Sequence, residues 1–226
     1  MYNKAVILPN FSEESKLWKK RFKYVIGVDE VGRGAFAGPV SAAAVVFECQ
    51  TEELSELGIN DSKLLKPRQR KKLSKLIQDG SMAYSIATVG VPAINKTGIG
   101  KATQTAFRKA IGDVLAQLSK NTEYSILDTK YYVLADGFHI KYVKKIGLKN
   151  QKAIVKGDRI SISIAAASII AKVHRDLLMK KASRKYPKYG LGRNKGYGTK
   201  EHREAIKKYG LLKIHRTSFN LSRFEK

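Results

Sequence analysis

Tyr24-Val25-Ile26-Gly27-Val28-Asp29-Glu30-Val31-Gly32-Arg33-Gly34-Ala35-Phe36-Ala37-Gly38-Pro39 decides how the chain is read. Tyr24 to Asp29 carries the β-branched and aromatic residues of a strand and runs into a glycine-rich turn. The turn contains G-x-G-x-x-A, close to the dinucleotide-binding fingerprint. That fingerprint should open a helix whose N-terminus holds a pyrophosphate. Here Pro39 and the small, β-branched run Val40 to Phe47 predict a second strand instead. Two carboxylates directly before the loop would also repel pyrophosphate unless a metal intervened. The loop reads better as a backbone-lined groove, in which glycines admit a sugar-phosphate closely and Arg33 adds a forked cationic donor.

Outward from this stretch, helices and strands interleave. A lead-in with a short helix near Ser12 to Phe22 precedes the first strand. Asn60 to Lys66 is turn-like, and Pro67 opens a helix to about Gln78. Met82 to Val89 predicts a third strand. Pro92 to Leu118 predicts helix, with Gly98, Gly100 and Gly112 as candidate breaks. Strands follow over Tyr131 to Ala135 and Lys152 to Val155, with a helix expected over His139 to Lys145 between them. Ser161 to Lys181 is a long helix, Arg184 to Lys200 a basic loop, and Glu201 to Lys208 a last helix. The pattern is α/β with a largely buried sheet.

Composition narrows the function. The 226 residues carry 44 Lys and Arg against 19 Asp and Glu, a net charge of +25. A field of that sign favours a polyanion, and nucleic acid before an anionic membrane. The longest apolar stretch, Ile164 to Ala171, is too short to span a bilayer, and Met1 to Asn10 lacks a secretory apolar region. The single cysteine, Cys49, excludes an internal disulfide and fits a reducing, cytoplasmic location. His139, His174, His202 and His215 show no metal-ligand spacing, so a zinc site is not expected.

Within this basic chain, acids end strands. Asp29-Glu30 ends the first, Asp136 ends the strand after Ala135, and Asp158 follows another. Open α/β sheets build sites at such ends. Carboxylates converging there would repel unless they shared a hard divalent cation, Mg²⁺ or Mn²⁺, which takes oxygen ligands. That chemistry suits metal-assisted phosphodiester cleavage. Neighbouring strand residues face opposite ways, so Asp29 and Glu30 are expected to share a cation only if the strand bends or ends between them. Taken singly, Asp136 and Asp158 read equally as turn residues.

The chain resembles ribonuclease HII at Val28-Asp29-Glu30-Val31-Gly32-Arg33-Gly34 and Ala37-Gly38-Pro39-Val40. Matches continue in order at Asn60-Asp61-Ser62-Lys63, Asp136-Gly137, Lys156-Gly157-Asp158 and Ser163 to Val173. Asn194-Lys195-Gly196-Tyr197-Gly198-Thr199 and Ile214-His215-Arg216-Thr217-Ser218-Phe219 complete the set, which covers about residues 24 to 219. The resemblance implies a ribonuclease H-like fold: a mixed central sheet flanked by helices, with a helical C-terminal portion. It implies hydrolysis of the RNA strand of RNA–DNA hybrids and incision 5′ of single ribonucleotides in duplex DNA, leaving 3′-hydroxyl and 5′-phosphate ends, by a protein serving DNA replication and repair. It implies Asp29, Glu30, Asp136 and Asp158 as catalytic metal ligands and Gly32-Arg33-Gly34 as the sensor of the ribose 2′-hydroxyl. It further implies Tyr197 packing on the neighbouring sugar and Lys63 near the scissile phosphate. A monomer is expected, with a lead-in (1–23), a catalytic domain (24–183) and a substrate-binding C-terminal segment (184–226) packed on it.

Three points stay open. Asp136 and Asp158 are separated by the lysine-rich stretch Lys141 to Lys152, which makes Asp176 a rival fourth ligand. Asp176, however, would lie about 22 Å along its helix and reads as an exposed acid beside Arg175. Arg184 to Lys200, with three tyrosines, is the candidate duplex contact. The alternative from another class is a non-catalytic basic nucleic-acid-binding protein. It explains the charge but not acids at strand ends behind a glycine loop. Ribonuclease HIII, with its separate N-terminal substrate-binding domain, does not match the short lead-in.

Overall fold

The structure, a computed structural model, describes residues 8–49, 58–120 and 130–224. Residues 1–7 of the expected lead-in fall outside them. The sheet has five strands: β1 Tyr24–Val31, β2 Val40–Val46, β3 Ala83–Val89, β4 Tyr131–Asp136 and β5 Gln151–Ile154. Their order is β3-β2-β1-β4-β5. β1, β2 and β3 form an antiparallel meander, while β4 joins β1, and β5 joins β4, in parallel. The sheet is mixed and helices cover both faces, which agrees with the α/β pattern of the sequence and with the fold that the resemblance implies. Gly32 to Gly34 leads through a short turn into β2, with no helix at that point, so the dinucleotide-cofactor reading has no structural basis.

Among the described residues the α-helices are α1 Ser12–Lys19, α2 Pro67–Gly80, α3 Val91–Thr97, α4 Ile99–Lys120, α5 Ile162–Lys185, α6 Leu191–Asn194 and α7 Lys200–Tyr209. α3 and α4 part at Gly98, whose φ of +80° favours glycine. α4 packs its Ala102, Ala106, Phe107, Ala110, Ile111 and Val114 on one sheet face, against Ile26, Val28, Ala42 and Ala44. α5 covers the other face with Ile162, Ala165, Ala166, Ile169 and Ile170. Alternation along β2 sends Ala43 and Val45 toward α5 and Ala42 and Ala44 toward α4. The alanines let both helices sit close to the sheet. α1 is fastened to the start of α5 by buried Glu14, which accepts from the Ser161 hydroxyl at 2.6 Å and from the Ser163 N–H at 3.0 Å. A carboxylate there also complements the positive end of the helix dipole.

Two sequence expectations are corrected. His139 to Lys145 is not a helix but an irregular loop with a Val143–Ile146 bridge and left-handed backbone at Tyr142 and Lys145. Side-chain hydrogen bonds from Gln104, Arg108 and Gln151 to its backbone replace helical ones. Arg184 to Lys200 is not one open loop. α5 runs on to Lys185, and Tyr189 and Leu191 are buried with Ala37, Met179, Ala205 and Ile206 in a separate small core. Among the described residues no helix is long and apolar enough to cross a membrane.

A Cβ on Gly27 would stand 2.2 Å from the Ser163 carbonyl carbon of α5. Gly27→Ala should therefore push α5 off β1 and lower stability by roughly 1–3 kcal/mol or more, read as a reduced urea midpoint. An unchanged midpoint would contradict this packing.

Candidate active site

The parallel ladder between β1 and β4 ends at Val28–Ala135. Immediately beyond it stand Asp29 and Glu30 on one strand and Asp136 on the other, all lining one pocket of about 450 Å³. The antiparallel ladder to β2 continues unbroken through Asp29–Ala43 and Glu30–Ala42 to Val31. The strand thus does not end between the two acids, as an ending near Gly32 had suggested, but runs on to Val31. They still meet one pocket because β1 is open on its β4 side past Val28.

Asp158 follows β5 on a turn where Lys156 takes left-handed backbone with φ +56°. The Gly157 N–H donates to Asp136 Oδ1 at 2.7 Å, which ties this turn to the end of β4. Asp158 adjoins the lining rather than forming it; its Oδ2 lies 3.9 Å from Lys63 Nζ. Lys63 is well exposed at the rim, on a turn held by buried Asp61. Asp61 accepts from the Lys63 N–H at 2.9 Å and from Arg159 at 2.9 and 3.1 Å. Arg70 clamps the same turn through the carbonyls of Ser62 and Leu65.

Gly32, Arg33, Gly34 and Tyr197 line the same pocket as the acids. Gly32 has φ +97°, and a Cβ there would meet Arg175 Nε at 2.1 Å. Arg175 is fully buried and donates to the carbonyls of Pro39, Lys195 and Ala37 at 2.9, 2.9 and 3.2 Å. Arg216, equally buried, donates to those of Gly38 and Arg33 at 2.9 and 2.8 Å. The Tyr197 ring sits over the Arg175 guanidinium, 5.4 Å from its centre. Behind Tyr197, His215 accepts the Leu212 N–H at Nδ1, so its Nε2–H donates to His202 Nε2 at 3.1 Å. The His202 Nδ1–H then donates to the Tyr197 carbonyl at 2.9 Å. The histidines are thus paired in space although their sequence spacing gives no sign of it, and each ring is occupied with the other.

Asp176 is not an exposed acid. It binds Lys172 at 2.7 Å and approaches Arg70 at 3.9 Å, with 19% of its side chain exposed. Lys172 lines the carboxylate pocket and Asp176 does not. Ser168 also lines it, hydrogen-bonded to Ser62 at 2.9 Å. Ser168, Lys172 and Asp176 recur at intervals of four, one face of α5. That periodicity is the sequence signal by which Ser168 and Lys172 could have been found.

The electrostatics are those of crowded acids. Burial, then neighbouring Glu30 and Asp136, hold the Asp29 carboxyl well above the usual range, despite a bond from Ser168. Burial pushes Glu30 up to about 7, with Arg33 opposing and Asp136 adding to the rise. Burial, then Asp61 and Asp136, raise Asp158. Glu30 Oε2 is buried without a hydrogen-bond partner. An uncompensated acid group of this kind fits a small hard cation that keeps several waters and takes few carboxylates. Among the described residues no three acid, His or Cys side chains already stand close enough to cage an ion.

Comparison with known proteins bears on the family and the fold. The family model described as Ribonuclease HII matches residues 26–222. Ribonuclease HII of Caldicellulosiruptor bescii is 44% identical over 209 residues, covering 92% of each chain. The crystal structure of ribonuclease H2 from Pyrococcus horikoshii superposes with a TM-score of 0.66 at 27% identity, covering 90% of this chain and 99% of that one. Bst-RNase HIII in complex with Mn²⁺ has a TM-score of 0.68 at 18% identity, over 90% of this chain and 69% of that one, a likeness of fold alone.

The raised Glu30 predicts a pH effect. The stability contributed by its neutral form is complete below about 4.5 and is lost as pH rises through about 7. Metal-free protein should therefore lose thermal stability across this window relative to Glu30→Gln, and Mg²⁺ or Mn²⁺ at pH 7 should restore it. Parallel Tm-against-pH curves for parent and variant would count against the crowded-acid account.

Proposed function

We propose, from the premise that the chain belongs to the ribonuclease HII family and is a ribonuclease H, that it cuts the RNA strand of RNA–DNA hybrids and nicks duplex DNA 5′ of single ribonucleotides. The observation that carries this reading is one pocket lined by Asp29, Glu30 and Asp136 together with Gly32-Arg33-Gly34 and Tyr197. Asp29, Glu30, Asp136 and Asp158 are assigned to hold divalent cations, Mg²⁺ or Mn²⁺. Bound there, such an ion polarises a phosphate and lowers the pKa of a water.

The chain's own groups do the rest. The glycine loop lets backbone donors and acceptors test for a 2′-hydroxyl, the group that separates RNA from DNA. Arg33 reaches Glu30 at 3.6 Å and keeps its guanidinium at the pocket wall. Tyr197 offers an aromatic face to the adjoining sugar, its backbone braced by His202. Lys63, exposed and beside Asp158, is suited to the scissile phosphate. The net charge of +25 supports tight, salt-sensitive binding of a duplex. We expect a cytoplasmic monomer acting in ribonucleotide removal and DNA repair.

The test is a DNA duplex carrying one ribonucleotide, incubated with Mg²⁺ or Mn²⁺ beside an all-DNA control. A single nick 5′ of the ribonucleotide, abolished by chelator and by Asp29→Asn while the variant still binds the duplex, is the expected result. Cleavage of hybrids without this nick would limit the reading to hybrid hydrolysis. Undiminished turnover by Asp29→Asn would overturn the assignment of the acids.

A further inference from the structure

The lysine-rich stretch after β4 has no part in the catalytic pocket, yet the fold fixes its first residues firmly. Ile140, Val143 and Ile146 are buried in the core under α4. Gln151 brackets Ile140, accepting its N–H and donating to its carbonyl, both at 2.9 Å. Gln104 of α4 donates to the His139 carbonyl at 3.1 Å and accepts the Lys141 N–H at 3.0 Å. Arg108 donates to the Lys141 carbonyl at 3.2 Å. What these bonds hold outward is Lys141 together with Tyr142, which has left-handed backbone and is 88% exposed.

This loop forms one wall of a cleft of about 820 Å³ whose other wall is the start of α4. Lys101 and Arg108 stand on α4, Lys141 and Tyr142 on the loop, and Phe138 between them; no lining residue is acidic. Arg33 closes one end, its guanidinium 5.0 Å from the Phe138 ring centre. Because Arg33 also lines the carboxylate pocket, the cleft runs directly from it. Tyr197 lines the pocket and not the cleft.

We propose that this cleft is a second substrate-binding groove, which holds the sugar-phosphate backbone of the duplex flank leaving the catalytic pocket past Arg33. Lys101, Arg108 and Lys141 neutralise phosphates, and the exposed Tyr142 ring packs on a sugar or base face. Charge complementarity and continuity with the pocket favour this occupant. A second copy of a chain carrying +25 would be repelled from the same surface. The identity of the ligand rests on the function proposed above.

Duplex binding measured without metal by fluorescence anisotropy tests the groove independently of cleavage. The double variant Lys101→Ala/Lys141→Ala should bind a long ribonucleotide-containing duplex on the order of 10-fold more weakly, with a salt slope smaller by about 2. Tyr142→Ala should weaken binding several-fold with the slope unchanged. Two duplexes, each trimmed on one side of the ribonucleotide, locate the effect. With one of them the defect should vanish, because the flank that reaches the cleft is gone. A parent-like affinity and slope on the long duplex would overturn the proposal, as would a defect of equal size on both trimmed duplexes. If these binding results hold but no substrate is cut with either metal, the function fails and the groove stands.

Discussion

Two fully buried guanidiniums hold the glycine-loop wall of the pocket in place. Arg175 reaches from α5 and Arg216 from the C-terminal segment, and between them they donate to the carbonyls of Arg33, Ala37, Gly38, Pro39 and Lys195. Buried charge is costly unless it is hydrogen-bonded, and here main-chain oxygens take up every Arg175 nitrogen and two of the three of Arg216, whose Nη2 is buried without a partner. Burial, with Arg175 adding to it, lowers Arg216 to about 10. The pair therefore fixes the glycine loop more strictly than its own sequence could. It also accounts for glycines around it. Side chains at Gly32, Gly38 and Gly196 would meet Arg175, Met179 and the Ala37 carbonyl within 2.4 Å.

The acids depend on a different constraint, the length of one ladder. β4 stops pairing with β1 one residue before Asp29, which leaves Asp29, Glu30 and Asp136 together where these two central strands part. Their mutual repulsion and burial make a site that a divalent cation would stabilise. A tightly held glycine loop and a group of crowded acids thus share one pocket.

Much of this was legible in the chain. β1, β2 and the intervening turn follow from local pattern, and Asp29, Glu30 and Asp136 follow from strand ends. What escaped was long-range. The loop over His139 to Lys145 looks helical until Gln104, Arg108 and Gln151 compete for its backbone. Asp176 looks exposed until Arg70, more than a hundred residues earlier, folds against it. His202 and His215, Arg175 and Arg216 acquire their roles only from what the fold brings beside them. Arg184 to Lys200 reads as a basic loop because its basic residues outnumber the buried Tyr189, Leu191 and Asn194.

The most direct test of this account replaces Arg175 by Lys, which keeps the charge but not a fork able to reach three carbonyls. In variant protein shown to be folded, turnover of a duplex with one ribonucleotide should fall on the order of 10²-fold through misplacement of the loop, while duplex binding stays within a few-fold of the parent. Parent-like turnover by the folded variant would contradict the claim that buried guanidiniums set the glycine-loop wall of the pocket.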